Sequence, residues 1–184
     1  MTPRHRAWVL VTALALTGCP ESATVDPEAQ DSSEVAPELT EVEPGTVRLF
    51  FPGGGRRLVS EIRPMPSELP GELPEVADVV AAVLAGPESS GGVAPFPEGT
   101  TAGTTQISKD GIAYVDLVSN RPDPPPSGSL AETLSVYSIV NSVLVNRPDL
   151  EAVVLLWNGQ QQSTFAGHLD TGRPLSRDDS LIGG

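Results

Sequence analysis

The chain has one cysteine (Cys19), two histidines (His5 and His168) and one lysine (Lys109). A lone cysteine cannot close an internal disulfide, and with no histidine close by in sequence it cannot build a zinc site. Aromatic residues make up 4% of the 184 positions, so a core must rest on valine, leucine, isoleucine and alanine. Bases number 11 against 24 acids, for a net charge of −13. That balance argues against nucleic acid, which needs a basic face, and against electrostatic adhesion to an anionic membrane surface. The apolar stretches fall short of the ~20 residues of a membrane-spanning helix. The motifs G-x-S-x-G, S-x-x-K and H-E-x-x-H are absent, which removes the common sequence signals of serine hydrolases, penicillin-binding enzymes and zinc proteases.

Basic residues Arg4 and Arg6 open the chain with no acid among them, and "WVLVTALAL" follows at positions 8–16. Thr17 and Gly18 are small, and Cys19 comes next. A basic start, a short apolar run and a small-residue junction define an export signal, here residues 1–18. Leu16-Thr17-Gly18-Cys19 also resembles a bacterial lipobox. That resemblance implies that cleavage leaves a lipidated Cys19 at the new N-terminus, and it gives the single thiol a use. Each acyl methylene buried in a bilayer contributes about 0.8 kcal/mol, so several chains hold firmly where one holds marginally.

Positions 20–46 carry eight acids, no bases and no aromatics, with four prolines among them. Such a segment cannot bury enough apolar surface to offset chain entropy. Residues 19–46 therefore read as a lipidated cysteine and an acidic disordered tether, spanning roughly 30 Å as a coil.

From Val47 the pattern becomes that of a folded domain, residues 47–181. "VRLFFP" reads as a strand, "GGGRR" as a turn, and Leu58–Arg63 as a second strand. The three glycines lack Walker spacing and precede a strand, so they are a turn and no phosphate cradle. A helix is predicted over Pro74–Ala85, with Val76, Val79, Val80, Val83 and Leu84 on one face and a Gly86-Pro87 stop. Asp110-Gly111 predicts a type I′ hairpin turn between Thr104–Ser108 and Ile112–Val118. Ser129 and Glu132 match a capping box for a second helix reaching about Val145, with Leu130, Leu134, Tyr137, Val140 and Leu144 as its buried stripe. "LEAVVLLWNG" is the most apolar strand, and Asn158-Gly159 is another hairpin signal. The order β(β)-α-ββ-α-β(β) predicts an α+β fold, two helices packed on one face of a small mixed or antiparallel sheet.

Few residues qualify as a site. His168 could join Asp170 or Asp116, but a lone loop histidine is more often a surface or hydrogen-bonded group, and no catalytic role is assigned. Asp116, Asp170, Asp178 and Asp179 could offer oxygen ligands to calcium, but they lack EF-hand spacing and read as turn formers. Trp157 and Tyr137 could line a cleft, although Trp157 suits the end of a core strand better.

Taken in order, "VRLFFP", "VLAGP" (83–87), "FPEGT" (96–100), "DGIAYVDLVS" (110–119), "SLAETLSVYSIVNSVL", "AVVLLWNG" and "GHLDTGRPLSRDD" (167–179) resemble the GerMN family, the sporulation and spore germination domain. The proline-rich loop at Pro122–Pro126 and the three-glycine turn depart from it. The resemblance implies a non-enzymatic, cofactor-free module similar to the ring-building modules of envelope assemblies, exported and lipid-anchored on the periplasmic or extracytoplasmic side. The partners it implies are envelope proteins or copies of itself, with the membrane reached through the N-terminal lipid and no nucleic acid. The alternative is an envelope ligand-binding module, for instance for peptidoglycan fragments, which needs a concave surface with stacked aromatics and convergent polar groups; the 4% aromatic content weighs against it.

If Cys19 carries the anchor, Cys19→Ser should move the protein from the membrane to the soluble fraction on cell fractionation. Retention of the variant in the membrane would contradict lipid attachment.

Overall fold

The computed structural model describes residues 43–65, 72–89, 91–125 and 127–183. The export signal, Cys19 and the tether up to residue 42 lie outside the described residues. Strands β1 (Thr46–Pro52) and β2 (Leu58–Pro64) form an antiparallel hairpin in continuous register from Thr46↔Pro64 to Pro52↔Leu58. The glycine cluster between them makes a short 3₁₀ turn over Gly54–Arg56, in which Gly55 (φ 71°) and Arg56 (φ 66°) are left-handed. Helix α1 spans Val76–Leu84, shorter than the predicted Pro74–Ala85, because Glu75 keeps extended backbone (ψ 139°) and flanks the first turn. Its end is as predicted: Gly86 turns left-handed (φ 85°) and its amide bonds the Val83 carbonyl.

Strands β3 (Thr101–Ile107), β4 (Ile112–Val118), β5 (Ala152–Trp157) and β6 (Gln160–Gln161) form a second sheet in the order β3-β4-β5-β6. The β4–β5 pair is parallel, so the chain must cross over between them, and helix α2 (Ser129–Asn146) makes that crossover. The fold class is α+β as expected, with the strands divided between two sheets and not gathered in one.

The β3–β4 turn differs from the predicted type I′. Of its residues only Gly111 has a positive φ (71°), and Asp110 does not. The Ser108 amide bonds the Ile112 carbonyl at 2.9 Å, and Ser108 Oγ accepts from the amides of Asp110 and Ile112. That is a three-residue loop closed by one left-handed glycine. The serine side chain substitutes for the main-chain geometry that a two-residue turn would need. The two-residue turn with both positions left-handed is Asn158-Gly159 (φ 51° and 78°), between Trp157 and its partner Gln160.

Alternation along β4 and β5 sends Ala113, Val115, Leu117, Val153, Leu155 and Trp157 to one face. There they pack with Val47, Leu49 and Phe51 of β1, Val76, Val79, Val80 and Val83 of α1, and Val136, Ile139, Val140 and Val143 of α2. A smaller cluster joins Phe50, Leu58, Leu134 and Ile182. Helix α2 therefore touches apolar partners on more than one side. From Ser138 to Leu144 every residue is buried, so the single predicted stripe is too narrow.

A helix buried all round must satisfy its polar side chains internally. Asn146 Oδ1 accepts from the Arg48 amide at 3.0 Å, and its Nδ2 donates to the Arg48 carbonyl at 2.8 Å. Ser142 Oγ accepts from the Phe50 amide at 2.9 Å. These side chains stand where another strand would pair with β1, and they close its open edge. Asn141 grips the main chain of Asp178 through both amide atoms, at 2.9 and 3.0 Å.

Arg63 fastens β2 to α1. Its guanidinium donates to the carbonyls of Ala82 and Gly86, at 3.2 and 2.6 Å, at the electronegative end of the helix, and it pairs with Glu61. Burial alone would raise the Glu61 pKa. The Ser89 hydroxyl, the amides of Glu88 and Ser89, and Arg63 outweigh it and bring the group down to about 2.

Replacing Asn146 by Leu removes both of its hydrogen bonds to the Arg48 main chain. Urea unfolding should show a loss of about 2–4 kcal/mol, the order expected for two buried hydrogen bonds lost without replacement. A change under 0.5 kcal/mol, roughly the spread of neutral surface substitutions, would mean that water replaces the side chain at this edge.

Candidate functional site

Glu132 lies one turn into α2, and its side chain is 0% exposed. Its placement corrects the capping-box reading. Gly128 flanks the helix, Ser129 is already inside it, and no side-chain cap bond forms. Glu132 falls on the face shared with Val136, Ile139 and Val143, four, seven and eleven residues on. That face points to the core, so the carboxylate is carried inward.

It finds its partners on a loop that follows β6. Oε1 accepts from the amides of Ala166 at 2.7 Å and Leu169 at 2.9 Å. Oε2 accepts from the His168 amide at 3.2 Å and lies 2.8 Å from His168 Nδ1. Gly167 (φ 109°) provides the left-handed backbone that lets these amides converge. Phe165, at the root of the loop, packs edge-on against Trp157 and Phe96, with ring centroids 5.7 and 5.9 Å apart. The arrangement is a nest of N–H groups around an anion, with the anion supplied by the chain itself. Burial raises the Glu132 pKa, but the amides of Ala166 and Leu169 and then the His168 ring and amide prevail, holding it below the ordinary value of 4.5.

The structure joins His168 to Glu132, not to Asp170 or Asp116. Asp170 pairs with Arg173 at 3.1 Å and accepts from the Gly172 amide. Asp116 Oδ1 accepts from the Gly159 amide at 2.7 Å. Asp178 caps a short 3₁₀ turn through the Ser180 amide, and Asp179 pairs with Arg177 at 2.7 Å. The four aspartates considered for calcium are thus each engaged locally. Among the described residues no group of three or more histidine, cysteine or acidic side chains is placed to hold a metal ion. Trp157 is 1% exposed and donates Nε1 to the Arg121 carbonyl at 3.0 Å, which makes it a core residue. Tyr137 is half-buried, and burial followed by Asp178 raises its pKa. Among the described residues no helix is long and apolar enough to cross a membrane.

Glu132 is the residue that sequence reasoning misassigned. The available signal was its helical phase. An acid in register with Val136, Ile139 and Val143 must either break the face or be satisfied inside it.

Residues 48–163 match the profile of the Germane family, described as sporulation and spore germination. Among solved structures, the tandem GerMN domains of the sporulation protein GerM from Bacillus subtilis align with 20% identity over 79% of this chain, TM-score 0.51. This chain covers 49% of that structure, about half its length. The first GerMN domain of the same protein aligns with 20% identity and TM-score 0.53, covering 72% of this chain and 95% of that one. A Clostridium perfringens structure named "Putative Lipoprotein" aligns with 19% identity and TM-score 0.50, covering 77% of this chain and 95% of that one. No curated protein matches the sequence.

Glu61 and Glu132 both release their protons more readily in the folded chain than in the unfolded one. Their stabilisation is therefore complete above the unfolded value of 4.5 and is lost as pH falls below it, down through about 2 for Glu61. Urea titrations across this range should show that decline. Glu132→Gln should cost about 2–4 kcal/mol at neutral pH, because an amide N–H then faces amide N–H donors. The variant should also flatten the acid slope and speed hydrogen exchange at Ala166, His168 and Leu169. Unchanged exchange there would show that the carboxylate does not hold the loop.

Proposed function

This chain belongs to the Germane family of sporulation and spore germination domains, and on that premise we propose that it is an exported, lipid-anchored, non-enzymatic envelope protein whose single domain serves assembly with other proteins. The observation that carries the reading is the family match over residues 48–163, downstream of the lipobox-like Leu16–Cys19 and the acidic stretch at 20–46. The similar fold of a protein named as a lipoprotein and of a sporulation protein supports the same reading. The chemistry of Glu132 agrees with it. Both oxygens are committed to main-chain amides and to His168, so the carboxylate works as a structural pin. A tether of roughly 30 Å would let an anchored domain search a shell beside the membrane for partners.

Photo-crosslinking in intact cells from exposed positions such as Asp78, Val93 and Ile62 should give discrete protein adducts in the membrane fraction. Recovery of only the uncrosslinked chain from every exposed position would overturn the assembly reading.

A further inference from the structure

The face of the β3-β4-β5-β6 sheet turned away from the helices carries a second constellation. An open depression of about 280 Å³ is lined by Thr104, Gln106, Tyr114, Asp116, Leu156 and Gly159. Tyr114 is 36% exposed, and Gln106 is its cross-strand partner. Asp116 is opposite Leu156 on β5.

The polar groups are held in place by local devices. Register slips between Ala102 and Thr105, so Gly103 and Thr104 together oppose Asp116 in a β-bulge. A Cβ at Gly103 would come within 2.7 Å of Val118 Cγ2 and 3.0 Å of Asp116 Oδ2. Only glycine lets the carboxylate lie across β3, and the extra residue turns Thr104 to the same side. Asp116 Oδ1 is fixed by the Gly159 amide. The turn that supplies this amide is itself tied down, since Asn158 bonds the Ser119 amide at 2.8 Å and the Arg121 carbonyl at 2.7 Å. Asn158 (φ 51°) and Gly159 (φ 78°) form the two-residue turn at the rim of this depression.

We propose that this depression binds a neutral glycan, a chain of β-linked N-acetylated hexosamines. The exposed Tyr114 ring offers a platform for the C–H face of a pyranose. Asp116 Oδ2 accepts from a ring hydroxyl, Gln106 can both donate and accept, and Thr104 adds a hydroxyl. Leu156 meets the acetamido methyl. The volume lies at the small end of ligand sites, which suits one sugar unit of a chain crossing an open sheet face. Charge selects the class: a protein of net charge −13 with a carboxylate at the centre of the site repels phosphate-bearing polymers and accepts uncharged ones. The inference stands apart from membrane anchoring and is tested without it.

The ¹⁵N-labelled full chain is titrated with chitotetraose at millimolar concentration and followed by amide shifts. Shifts should gather at Thr104–Gln106, Tyr114–Asp116 and Leu156–Gly159. Tyr114→Ala and Asp116→Asn, which keeps an acceptor for the Gly159 amide, should each weaken binding at least about tenfold while amide signals elsewhere stay put. Maltotetraose, which lacks the acetamido group, should bind more weakly. An absence of shifts with chitotetraose overturns the proposal, and so do shifts that map elsewhere or survive both substitutions. Concentration-dependent broadening on this face without sugar-induced shifts would assign it to a second protein surface instead, and also overturns it.

Discussion

Everything else in this domain depends on the burial of α2. From Ser138 to Leu144 this crossover helix has no solvent side on which to put polar groups, and Glu132 is turned inward a turn and a half before. Its interior polar residues are therefore used as staples. Asn146 and Ser142 take the edge of β1, Asn141 takes the main chain at Asp178, and Glu132 takes the loop at 166–169. Each staple joins α2 to backbone far away in sequence. The helix thus adds directional ties between segments whose apolar contacts are non-directional and would by themselves leave register free.

Glu132 shows why such a group is kept in the interior. A buried carboxylate is costly unless its lone pairs are filled, and here one loop fills them with three amides and an imidazole. The same bonds hold the loop closed over Trp157, with Phe165 as the plug. The histidine–carboxylate pair has the geometry of a clamp, with both carboxylate oxygens bound to backbone amides.

The two faces of the larger sheet are built on different principles. The helix side is apolar and continuous with the core. The outer side carries a bulge, a left-handed turn and an immobilised carboxylate around one exposed tyrosine. The bulge restricts position 103 to glycine, because a Cβ there would meet Val118 and the Asp116 carboxylate.

Much of this architecture was legible in the residues themselves. The strands at 46–52, 58–64, 112–118 and 152–157, the left-handed stop at Gly86 and the Asn158-Gly159 turn follow from local rules of periodicity and allowed backbone angles. Local rules failed where distant groups intervened. The Ser129–Glu132 spacing fits a capping box, yet Glu132 belongs to a loop more than thirty residues later, because helical phase turns it inward and amides wait there. The sequence alone determined the elements, their order and their class. Tertiary structure decided the division into two sheets, the role of Glu132 and the meeting of Thr104, Tyr114 and Asp116 on one face, because these depend on pairing between strands, and pairing is set by the packing of the whole chain and not by any window of it.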